Sequence, residues 1–185
     1  MTAYYLDENG RLFQTGGSFV EFFDACRKDW RVEDWQAAQW LETHLPELTR
    51  IDEAAAEEHM AQQLLANLDR KTLEELIQAL RKHGKVIWEP MKQNPDGSYR
   101  LGYPKYPADV FQALDLLGYD GDYRRRMEQR GRNLRIGEMD VLQIRAKLTY
   151  LGRAERFCDG VIADAVDNGT MLRLLERLKQ LAEKE

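Results

Sequence analysis

Residues 153–160 read Arg-Ala-Glu-Arg-Phe-Cys-Asp-Gly and crowd two carboxylates, two guanidiniums and a thiol into about two helical turns. On a helix Glu155 and Asp159 stand four apart on one face, and Arg156 stands three before Asp159, close enough to pair with it. The two acids, with Asp164 and Asp167 downstream, are the raw material of a divalent-metal or acid–base site, as in a metal-dependent hydrolase. Cys158 offers a nucleophile. The alternative is structural: Arg156 as a partly buried clamp whose planar fork satisfies Asp159 and the free carbonyls of a helix end. The clamp is the preferred reading. A metal site wants histidine or further oxygen ligands at fixed spacing, and none accompanies this run. Phe157 is expected to point inward.

As a nucleophile Cys158 is poorly served. Glu155 and Asp159 raise a neighbouring thiol's pKa, and the end of a helix opposes an anion. A packed, reduced thiol is expected there and at Cys26, since two distant cysteines make neither a disulfide framework nor a zinc site. His44, His59 and His83 lack the four-residue spacing of a helical zinc motif and read as surface or helix-end residues. Ser18 and Ser98 fit a helix cap and a turn, without a nucleophile-elbow pattern. No glycine loop ends in the lysine and hydroxyl of a P-loop, so neither a cofactor nor a metal is expected.

A different chemistry is written at Arg124, Arg125, Arg126, Arg130, Arg132 and Arg135, six guanidiniums within 12 residues opposed by Glu128. Such a run can grip successive phosphates, with Tyr119 and Tyr123 positioned to stack on bases. The competing reading is a solvated connection whose charge balances the acidic first part of the chain. The net charge of −5 is unevenly spread. Residues 1–70 carry 14 acids against 6 bases, and residues 121–185 carry 11 against 14. That argues against wholesale coating of nucleic acid, though not against a local anion site. Trp30, Trp35, Trp40 and Trp88, with Tyr99, Tyr103 and Tyr106, form a large aromatic complement. Trp35 and Trp40 are five apart, so one of them is expected at the surface.

These groups need elements to hold them. Asn9-Gly10 between short apolar runs predicts a type I′ hairpin of Tyr4–Leu6 with Arg11–Phe13. Ser18 then caps a helix carrying Val20, Phe22, Phe23 and Cys26, followed by helices over about 32–44 and 52–68. Thr72-Leu73-Glu74-Glu75 reads as a capping box before the stripe Leu73, Leu76, Ile77, Leu80. A second hairpin turns at Asn94-Pro95-Asp96-Gly97, with Tyr99, Leu101 and Tyr103 sharing one face. Pro107 opens a helix bearing Val110, Phe111, Leu114 and Leu117. Asp140 caps another with Val141, Ile144, Leu148 and Leu151 inside, and Thr170 caps the last, with its seam at Met171, Leu174, Leu175, Leu178 and Leu181.

With the second hairpin and the 153–160 run in view, a likeness emerges. That run, then Asp167-Asn168-Gly169-Thr170 and Leu175–Lys179, with Asp96-Gly97, Tyr103-Pro104 and Tyr106 upstream, resembles a family of small bacterial proteins of unknown function. Its genes are often met among mobile elements. The likeness spans roughly residues 86–185 and implies a shared fold there, with no activity to carry over.

The fold class expected is α+β, predominantly α-helical, with two β-hairpins that can join into one small antiparallel sheet. Residues 1–84 form an acidic hairpin-plus-helix region and residues 85–185 a hairpin-plus-helix domain, unless the two are one continuous domain. No run approaches a membrane span and no secretory leader opens the chain, so a cytoplasmic protein is expected, without a membrane partner. The function expected is a non-catalytic accessory protein that binds another macromolecule, a protein first. Nucleic acid through Arg124–Arg135, or hydrolysis through Glu155 and Asp159, are the alternatives.

Overall fold

A computed structural model describes residues 2–16, 18–34, 36–129 and 134–184, the side chain of Gln129 excepted. The chain forms two compact units, residues 1–67 and 68–185.

The first unit is built on a five-stranded antiparallel sheet. Its strands are β1 (Ala3–Asp7), β2 (Leu12–Thr15), β3 (Val20–Asp24), β4 (Asp29–Asp34) and β5 (Leu48–Ile51), in the order β4-β3-β2-β1-β5. The helix expected around Val20–Cys26 is therefore β3. Aromatic and β-branched residues favour the pleated surface, and pairing sets Phe22 opposite Phe13, which lies opposite Tyr5. One face thus gathers Tyr5, Phe13 and Val20 against Trp40 of helix α1 (Ala37–His44), with the Phe13 and Trp40 rings 5.2 Å apart. A bulge at Val20/Glu21 adjusts the register with β4. Helix α2 (Glu53–Ala66), capped by Asp52, packs on β1 and β2 and buries Ala56, Met60, Leu64 and Leu65.

The first hairpin forms with a different turn from the type I′ expected. Gly10 takes φ 72°, whereas Asn9 stays outside the left-handed region. The Asp7 carboxylate holds the loop instead, accepting the amides of Asn9 and Arg11 at 2.9 and 2.8 Å.

The second unit is helical, with α3 (Arg70–Lys82), α4 (Ala108–Asp115), α5 (Tyr123–Gln129), α6 (Val141–Ala154), α7 (Val161–Asp167) and α8 (Thr170–Ala182). Helix α6 is its axis: it contacts α4, α5, α7 and α8, and nine of its 14 residues are buried. Its N-terminus carries the expected Asp140 cap, completed as a capping box by Gln143. The expected box at Thr72 shifts upstream. Asp69 is the cap of α3, accepting the Thr72 amide at 3.0 Å and the Thr72 hydroxyl at 2.7 Å. At α8 the cap position is Gly169 rather than Thr170.

Between α3 and α4 the second hairpin becomes an arm of two separate ladders. Strand β6 (Ile87–Trp88) pairs with β9 (Pro104–Lys105), and β7 (Lys92–Gln93) pairs with β8 (Tyr99–Arg100). Among the described residues the arm forms no ladder with the five-stranded sheet, in place of the joined sheet that the sequence reading allowed. The strands are two residues long because the arm is pinched between its ladders. Pro90 has no amide to donate, and at Gly102 a Cβ would come within 1.9 Å of the Glu89 carbonyl oxygen. Among the described residues no helix is long and apolar enough to cross a membrane.

Candidate functional site

Helix α6 ends at Ala154, and the chain turns through residues 155–160 into α7. Gly160, the residue before α7, has a left-handed φ of 95° and no side chain with which to cap the helix. Glu155 supplies the missing acceptor. Its carboxylate accepts the amides of Gly160 at 3.0 Å and Ile162 at 2.8 Å, and the hydroxyls of Tyr106 at 2.7 Å and Tyr103 at 3.1 Å. Tyr106 Oη also accepts the Ala163 amide at 3.2 Å, so the amides of Gly160, Ile162 and Ala163 around the start of α7 are satisfied through one buried carboxylate and one phenol.

Burial pushes the Glu155 pKa up. The hydrogen bonds from Gly160, Ile162, Tyr106 and Tyr103 outweigh it and hold the carboxyl below its ordinary range. Burial, with the same carboxylate, pushes both phenols up, so Tyr103 and Tyr106 remain protonated donors.

The expected clamp is thus the wrong residue. Arg156 is exposed, as is Asp159, and the fastening falls to Glu155. The reason is directional. A carboxylate turned inward to meet backbone amides places residues 156–159 on the outer arc of the turn. Phe157, expected inside, is 83% exposed, and Cys158, expected packed, lies at the surface. Cys26 is exposed as well, in the turn after β3. The Glu155 oxygens that a metal pair with Asp159 would use already accept four hydrogen bonds. Asp167, a proposed helper, accepts the Val86 amide at 2.8 Å and anchors the base of the arm. Among the described residues no three His, Cys, Asp or Glu side chains converge in a metal-holding arrangement.

Each of the three histidine rings has a hydrogen-bond partner: His44 the Trp40 carbonyl, His59 the Gly10 carbonyl, His83 the Asp109 carboxylate. Ser98 closes the hairpin turn with Asp96.

The arginine run is divided by the fold. Arg126 lies against buried Asp120, its Nε 3.1 Å from the carboxylate, in a network where Thr149 Oγ1 accepts the Asp120 amide and Arg145 donates to the Tyr119 carbonyl. Burial raises the Asp120 pKa, and Arg126 and Arg145 oppose that rise. Arg125 approaches Asp122 at 3.6 Å. Arg124 and Arg135 are exposed, while Arg130 and Arg132, like Trp35, lie outside the described residues.

Two clefts open beside the turn. One, of about 380 Å³, lies between α4 and α6 and is edged by Tyr103, Phe111, Tyr119, Arg153 and Arg156. The other, of about 660 Å³, lies between α5 and α6 and is lined by Arg124, Lys147, Tyr150, Arg153 and Phe157 among others. Arg153 borders both. Sequence reasoning missed Lys147 and Tyr150 and gave Arg153 no role of its own, although their spacing of three along α6 marks a stripe away from its apolar one.

Residues 65–184 match the model of a family of unknown function (DUF6508). No curated protein and no solved structure matches the chain.

Proposed function

The chain belongs to that family of unknown function, and from its own surface we propose that it is a non-catalytic accessory protein whose hairpin arm docks an extended, apolar segment of a partner protein. One observation carries the reading. Of the twelve large apolar side chains exposed among the described residues, six fall within residues 87–103: Ile87, Trp88, Met91, Tyr99, Leu101 and Tyr103. Ile87 and Leu101 are 73% and 75% exposed. Concentrated exposed apolar surface marks interaction sites, and aromatic and methionine side chains are the types enriched where partners bind. An extended partner is favoured because two-residue ladders leave strand edges open to further main-chain pairing.

The finer placement rests on other support. Exposed thiols at Cys26 and Cys158 favour a reducing cytoplasm. The Arg153–Gly160 run favours the bacterial origin and mobile-element setting of the resemblance.

A peptide library displayed on phage and panned on the full chain tests the proposal. Enriched peptides are expected to be apolar and to bind at least about tenfold more weakly to an Ile87→Ser/Leu101→Ser variant, as removing central apolar anchors does elsewhere. Failure to enrich any peptide, or equal binding to both proteins, would sink it.

A further inference from the structure

The cleft between α5 and α6 has a chemistry that protein docking on the arm does not use. Two guanidiniums approach one phenol: Arg124 Nε donates to Tyr123 Oη at 3.1 Å, and Arg153 stands near enough to help Arg124 lower the pKa of that phenol. A phenol is neutral and returns little to two cations. The Nε of Arg153 is buried with no acceptor among the described residues. Lys147, partly buried on the same wall, has its ammonium 5.0 Å above the Tyr150 ring. Burial lowers the Lys147 pKa. Glu128 is the carboxylate at the rim, facing Arg124. Among the described residues, three cations therefore line one concavity against one acid, with a buried donor unspent at Arg153 Nε. Such a site favours a compact dianion, and arginine pairs offer the planar fork that phosphate accepts.

The same cleft presents faces for a flat ring. Tyr150 and Phe157 are exposed at its edge, and its volume of about 660 Å³ falls in the range of small-molecule sites. We propose that this cleft binds a nucleotide, its phosphate held by Arg124, Lys147 and Arg153 and its base stacked on Tyr150 or Phe157. The nucleotide can be free or part of a single strand, since both carry the same phosphate and ring. The expected basic-run reading changes accordingly: Arg126 is engaged by Asp120, and the cations that matter include two from α6.

Calorimetry on the full chain at low salt distinguishes these cases, titrating AMP, adenosine, inorganic phosphate, O-phosphotyrosine and a ten-residue oligodeoxyadenylate. AMP is expected to bind about tenfold or more tighter than adenosine or phosphate, the increment that stacking and charge each supply. Lys147→Gln and Tyr150→Ser are each expected to weaken AMP by about tenfold while leaving the melting temperature unchanged. Arg124→Gln, at an exposed position, is a further variant should Lys147→Gln fail to fold. Tighter, steeply salt-dependent binding of the oligonucleotide assigns the ligand to a strand; binding no tighter than AMP assigns it to a free nucleotide. Either result supports the site. It is overturned if neither AMP nor oligonucleotide binds, if AMP binds no tighter than phosphate, if O-phosphotyrosine binds tighter than AMP, or if well-folded variants bind as the wild type does.

Discussion

Glu155 shows how one side chain can define a corner. Its carboxylate meets one amide of its own turn, one from the first turn of α7 and two phenols from about fifty residues upstream. Glu155→Gln places an amide donor among donors, and a loss of about 2–4 kcal/mol is expected in urea unfolding at pH 7. The sign with pH follows from the lowered folded pKa. The unfolded carboxyl protonates first, near 4.5, so the wild type holds its full advantage above that value. It loses the advantage as pH falls through the lower folded pKa. The gap between wild type and Glu155→Gln should therefore narrow on acidification from pH 5 to pH 3, and a constant gap would show that ionised Glu155 is not what holds the turn. Arg156→Ala, at an exposed position, is expected to stay within about 0.5 kcal/mol of wild type. A large loss there would restore the guanidinium as the clamp.

At the scale of elements, the junction of α6 and α7 depends on backbone that only glycine supplies cheaply. Gly160 sits at φ 95°, and a Cβ there would come within 2.7 Å of the Trp88 ring. Gly160→Ala thus combines left-handed strain with a ring that must move, and about 2–4 kcal/mol of destabilisation is expected by thermal melting. A neutral result would mean that the Trp88 ring is not seated on the turn. The arm also shows why β6–β9 are so short. Pro90 and Gly102 interrupt pairing at the place where the two sides of the arm approach most closely.

The chain divides at residues 67/68, so α3 belongs to the second unit, whereas the sequence reading placed it in the region 1–84. The apolar stripe of α3 is the reason. Leu73, Leu76, Ile77 and Leu80 are buried where α3 packs on α8 and α4, and Arg81–Glu176 and Lys179–Glu74 bridge α3 to α8 at 2.8 and 2.6 Å. The family match beginning at residue 65 agrees with this division. Residues 68–185 expressed alone are expected to show a helical circular-dichroism spectrum and one cooperative thermal transition. A non-cooperative melt would show that this core is incomplete without residues 1–67.

The helices of the second unit were legible because their cause is local. Asp140, the stripe Val141–Ile144–Leu148–Leu151 and the seam Leu174–Leu175–Leu178 each state a period of 3.6 and a cap within a few residues. The strand at Val20–Asp24 was not legible, because its apolar residues fit either period until the pairing of Phe22 with Phe13 decides between them. The Arg153–Gly160 run was visible as a concentration of chemistry, but its roles were not. Which acid turns inward depends on Tyr103 and Tyr106 arriving from another segment with hydroxyls to donate. Spacing along the chain says which groups are neighbours; only the packed fold sets which of them have partners, and desolvation then makes the partnered carboxylate structural and leaves the guanidiniums beside it facing open clefts.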